Sequence, residues 1–118
     1  MEKTRLQDIY LHLKENAIDV YFPGQAVGDV LSPRTVVKFN GGVKVGDVST
    51  TQDLYDVMCY VPQGQYSTIE TYKAEVKRIM GLMKPTIMPT FTETESFYDD
   101  TVKGHMVSIM YRNYKKIV

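Results

Sequence analysis

The residues able to do chemistry are few. His12 and His105 are the two histidines, and Cys59 is the only cysteine of the 118-residue chain. Asp99, Asp100 and His105 form the grouping closest to a metal site, because two carboxylates and an imidazole suit a divalent cation. Adjacent side chains on an extended backbone diverge, however, and the alternating oxygen ligands of a calcium loop are absent. The spacing therefore predicts a solvated acidic loop ahead of a last strand. One thiol closes no internal disulfide and builds no multi-cysteine zinc site. A nucleophilic cysteine needs a neighbour that lowers its pKa; none is near Cys59 in sequence, and Cys59 reads as a small core residue. His12 reads as a solvated or boundary residue of a helix. The chain has no Gly-rich phosphate loop ending in Lys-Ser/Thr, no dinucleotide fingerprint and no His-Glu-x-x-His. These absences predict no catalytic residue, no metal, no cofactor and no enzymatic activity.

The elements that would position such groups follow from periodicity. Residues 4–16 predict an amphipathic helix, with Leu6, Ile9, Leu13 and Ala17 on one face and Thr4 as its cap. Residues 18–22 predict a short strand stopped by Pro23-Gly24, and 24–34 a loop or arm. Residues 35–39 predict a strand, and Asn40-Gly41-Gly42 a hairpin turn, since Asn-Gly accepts φ > 0. Val43–Val45 is then either the return strand or the start of a loop, and 46–53 is turn-like. Over 54–61, Tyr55, Val57, Cys59 and Val61 alternate with Asp56, Met58 and Tyr60, which predicts a strand ended by Pro62. Ser67-Thr-Ile-Glu70 has the capping-box pattern. The stripe Ile69, Tyr72, Val76, Ile79, Met80 and Met83 predicts a helix over 68–83 that packs on the core. Residues 85–92, with two prolines, suit an edge strand; 93–101 is acidic and polar, and 104–117 a long strand. The fold expected is a single α+β domain over 1–118, two helices on a mostly antiparallel sheet of about five strands, in the order α-β-β-β-α-β-β.

Charge narrows the function classes. Lys+Arg and Asp+Glu both count 14, so the chain is neutral, whereas nucleic-acid binders draw affinity from an excess of cations. The basic clusters are Lys73–Lys77–Arg78, interleaved with Glu70 and Glu75, and Arg112–Lys115–Lys116. No apolar run reaches the roughly 18 residues of a membrane span, and the first residues lack a secretory h-region, so the expected compartment is a cytoplasm. Nine tyrosines and no tryptophan tilt the reading toward interfaces, where tyrosine supplies area and a polar tip.

Two stretches carry a resemblance. Leu54–Pro62, running through Gln65-Tyr-Ser into the helix, and Phe97–Lys116 resemble the tail terminator, or tail-to-head joining (tail completion), proteins of tailed bacteriophages and prophages. The order of elements is similar too. The resemblance implies a homo-hexameric ring in the virion neck, assembled in the host bacterial cytoplasm. The ring would cap the tail tube, contact the tail tube protein, and dock to the head-closure or connector protein. DNA would pass through its lumen without sequence-specific binding, and no membrane would be involved. Another neck component and a small non-enzymatic binding module are the alternatives. Interface candidates are the open ends of strands 85–92 and 104–117 and the loops 24–34 and 40–53, and the residues singled out for an interface are Val27, Val30, Leu31, Arg34, Phe91, Phe97, Tyr98, Arg112 and Tyr114. Loops 24–34 and 93–101 are candidates to order only on assembly.

Overall fold

The structure, a computed structural model, describes residues 5–25, 28–44, 50–84 and 86–116. Helix α1 spans Arg5–Glu15, β1 Val20–Tyr21, β2 Arg34–Lys44, β3 Thr50–Pro62, α2 Ile69–Gly81, β4 Met88–Glu93, β5 Phe97–Asp99 and β6 Gly104–Lys116. The sheet order is β1-β2-β3-β6-β4, with β5 also paired to β6. All pairings are antiparallel except β1 with β2. The α+β expectation holds. The sheet has six strands where about five were expected, because Phe97–Asp99 of the supposed acidic loop pairs with Met106, His105 and Gly104.

Both helices lie on one face. Tyr55, Val57, Cys59 and Val61 of β3 and Val107, Ile109 and Tyr111 of β6 meet Ile9 and Leu13 of α1 and Ile69, Val76, Ile79 and Met80 of α2 in one buried cluster. Tyr72 and Met83 pack at its margin; Met80 is core as the stripe predicts, whereas α2 ends at Gly81 and Met83 follows it, partly buried. Thr35 is buried in the core region, and its hydroxyl lies 2.7 Å from the Tyr72 hydroxyl. Tyr72→Phe removes that bond and leaves the buried Thr35 hydroxyl with the Cys59 thiol beside it. The expected loss is about 1–2 kcal/mol, read by urea denaturation; an unchanged midpoint would remove the bond from the account.

The structure corrects five local expectations. Ala17 is exposed and sits beyond the helix at φ 65. The Ala17 amide donates to the Lys14 carbonyl and the Ile18 amide to the Leu13 carbonyl, which is a Schellman ending with alanine where glycine is usual. Ala17→Gly relieves the left-handed backbone and is expected to raise stability by up to about 1 kcal/mol, net of glycine's entropy; a lower melting temperature would contradict the assignment. The strand expected over 18–22 shrinks to Val20–Tyr21, and Thr4 lies outside the described residues.

Asn40-Gly41 makes a bulge, not a hairpin turn. Phe39 pairs with Tyr55 and Gly42 with Asp53, so two residues of β2 oppose Leu54 alone. Gly41 at φ 92 supplies the positive φ that such a bulge uses. Val43 and Lys44 therefore continue β2, facing Gln52 and Thr51, and β3 begins at Thr50 inside the segment expected to be turn-like. Residues 45–49, between β2 and β3, lie outside the described residues. The capping box does not form either. Residues Tyr66–Thr68 make a 3-10 turn, the Thr68 hydroxyl donates to the Gln65 carbonyl, and no side chain caps α2. The turn provides backbone continuity in place of the cap.

Candidate assembly surfaces

The sheet face turned away from the helices is a surface the sequence reading did not single out. Strand register places Arg34, Val36 and Lys38 of β2, Leu54, Asp56, Met58 and Tyr60 of β3, and Met106, Ser108, Met110 and Arg112 of β6 on it. Met88 of β4 faces Arg112, and Phe97 of β5 faces Met106. Four of the seven methionines of the chain thus share this face, all of them partly exposed. Methionine adapts to irregular partners and recurs on binding surfaces. Desolvation raises the Asp56 pKa on this face, and Lys38 across the β2–β3 pair offsets part of the effect. The sequence held the signal: even-numbered residues of β3 and β6 are nearly as apolar as odd-numbered ones.

One end of the face is covered by the chain itself. Val30 is buried, its amide donates to the Val102 carbonyl at 2.7 Å, and its side chain rests where a Gly104 Cβ would stand. Val30, expected at an interface, is therefore an internal contact. Leu31 beside it is 87% exposed. Arg34 is partly buried, donates to the Gly28 carbonyl and lies over the Tyr60 ring. Segments 28–34 and 97–99 thus make contacts within a single chain. Val27 lies outside the described residues, and of Tyr114 only the backbone is described, in β6 opposite Gln52.

The far edge carries three exposed aromatics, Phe91, Phe97 and Tyr98. In β4, Pro89 pairs with Tyr111 and Glu93 with Ile109, leaving Thr90, Phe91 and Thr92 against Met110. The Thr90 hydroxyl donates to the Met110 carbonyl and accepts from the Thr92 amide. This closes the bulge and holds Phe91 at φ 63, 87% exposed. Phe97 and Tyr98 are exposed on β5; the Tyr98 and Tyr66 rings both meet the His105 ring edge-on. His105 is thus held by aromatic contacts, and the Asp99 carboxylate accepts from the amide and hydroxyl of Thr101. Among the described residues no group of three His, Cys, Asp or Glu side chains stands close enough to hold a metal ion.

No protein-family model matches this chain, and no curated protein matches it. Its surfaces are therefore read from their own chemistry. His12 is partly buried, with its Nε2 2.7 Å from the Ile79 carbonyl, so it ties α1 to α2. Cys59 is fully buried, and burial pushes its thiol up to about 12. Cys59 is expected to resist a thiol reagent in the native protein and to react at once in denaturant; fast native labelling would contradict this packing. The basic cluster on α2 is neutralised. Lys73 pairs with Glu70 and Glu93, Lys77 with Glu93, and Arg78 with Glu75.

Glu93 titrates with a definite sign. Hydrogen bonds from Lys73 and then Lys77 hold its pKa below the usual carboxylate value. The folded pKa is therefore below the unfolded one. The pair's contribution is present above the unfolded value, about 4.3, and disappears as pH falls through the folded value. Solvent reaches the pair, so Glu93→Gln is expected to cost under about 1 kcal/mol at neutral pH. The difference from the parent protein should vanish in acid, as followed by denaturation at neutral and acidic pH.

Proposed function

We propose that this chain is a non-enzymatic structural subunit of a tailed-phage neck, a tail terminator or tail-to-head joining protein that forms a ring on the end of the tail tube. A closed ring requires two different patches on each subunit, each meeting the other on a neighbour. The observation that carries the reading is a single sheet with two unlike edges, β2 beyond Val36 on one side and β4 with β5 on the other. The two stretches that carry the resemblance are neighbours, β3 and β5–β6, in that sheet. The neutral chain and the ion-paired α2 cluster also suit a lumen through which DNA slides without being gripped.

In this reading the partners are further copies of the chain, the tail tube protein and the head-closure or connector protein. The methionine-rich face favours a second reading, a monomeric module that binds one protein partner. Light scattering over a concentration series, followed by addition of purified tail tubes, separates the two. Rings near six times 13.5 kDa that cap the tubes are the expected result. A monomer that leaves the tubes unbound would sink the ring reading.

A further inference from the structure

The two edges differ in charge as well as in sequence. Strand β2 carries Arg34, Lys38 and Lys44 and no carboxylate, whereas 88–100 carries Glu93, Glu95, Asp99 and Asp100 and no cation; Glu93 is already ion-paired with Lys73 and Lys77 of α2, so Glu95, Asp99 and Asp100 supply the charge of that edge. β1 covers β2 only at Thr35 and Val36, and among the described residues no strand pairs with the outer sides of β4 and β5. Exposed aromatics stand on both edges, Phe39 on β2 and Phe91 and Phe97 on β4 and β5. An unpaired edge templates strand addition. Opposite charges favour and steer a contact, whereas like charges brought together oppose it. A two-fold contact of either edge with itself would set cation against cation or carboxylate against carboxylate. A head-to-tail contact sets each against its opposite.

Phe91 adds an independent observation. A bulky side chain in the left-handed region is uncommon, and here a two-hydroxyl-bond bulge maintains it on an edge strand while the ring lies in water. Bulges re-aim side chains at such edges, and within the isolated chain that placement buries nothing.

We propose that a second copy of this chain docks head-to-tail, the basic β2 edge of one copy taking the acidic β4–β5 edge of the next, with Phe91 as the buried anchor. This rests on the ring reading only in requiring self-association. Two variants test it by sedimentation velocity, Lys38→Glu/Lys44→Glu and Glu95→Lys/Asp100→Lys, with melting temperatures as a folding control. Each alone is expected to associate roughly tenfold to hundredfold more weakly than the parent. A 1:1 mixture is expected to recover, because alternating copies restore every charge pair. Phe91→Gly is expected to melt no lower than the parent yet to associate at least about tenfold more weakly.

The contact is overturned if the parent stays monomeric, if either charge variant alone assembles like the parent, or if the mixture of two folded variants recovers nothing. The ring reading fails separately, if the parent also leaves tail tubes unbound. Rings that cap tubes but ignore the charge changes would overturn the edge pairing alone.

Discussion

Leu13→Ala is expected to lower stability by about 2–5 kcal/mol and the melting temperature by roughly 10–20 °C. Helix α1 has 11 residues, and its fully buried side chains are Ile9 and Leu13. A helix this short is marginal in isolation, so its persistence depends on docking. Truncating Leu13 removes half of that buried anchorage and opens a cavity against the sheet. The Schellman ending suffers too, because the Ile18 amide donates to the Leu13 carbonyl and Ile18 is itself buried. Hydrogen exchange should therefore show α1 amides opening before those of β3 and β6. A loss under about 1 kcal/mol would mean that α1 is held chiefly by His12 and the Ile79 carbonyl.

Gly104→Ala is expected to cost about 1–3 kcal/mol through overpacking. An added Cβ would lie 2.7 Å from Val30 Cγ2, 2.9 Å from Val30 Cβ and 3.0 Å from the Val61 carbonyl oxygen. The carbonyl belongs to the paired β3 strand and cannot retreat. Val30 can move only by straining the 2.7 Å bond from its amide to Val102. The variant should speed hydrogen exchange at Val30 and expose more of the methionine-rich face. Val30→Ala is the discriminating partner: added to Gly104→Ala, it should cost less than the sum of the two single changes, because both act on one contact. Strict additivity would rule out the packing described.

Much of the fold was legible from residue order. The alternation of Tyr55, Val57, Cys59 and Val61 identified the inward face of β3, because a strand's side chains repeat every second residue and register cannot slip without exposing them. The stripe from Ile69 to Met83 identified the inward face of α2 in the same way. The neutral charge and the burial of Cys59 were also readable. The errors share a cause. Asn40-Gly41 accepts positive φ in a turn or in a bulge, and only the long pairing of β3 with β6 decides for the bulge. Ser67-Thr-Ile-Glu70 has the composition of a cap, yet the chain leaving Pro62 enters α2 through a 3-10 turn. Phe97–Asp99 lacks the length to announce a strand, and becomes one because β6 offers it an unpaired side.

The candidate surfaces divide in the same way. Sequence by itself determined which residues alternate, which segments carry each charge, and that few groups are suited to catalysis. Only the tertiary structure decided where those properties meet. It buried Val30 against a glycine 74 positions away in sequence. It gathered Met58, Met88, Met106 and Met110 from three strands onto one face. It placed the basic β2 and the acidic 88–100 segment at opposite edges of one sheet. Periodicity is local and survives in a linear reading. Strand order depends on contacts between residues far apart in sequence, and no local pattern encodes which edge of a sheet a segment will occupy.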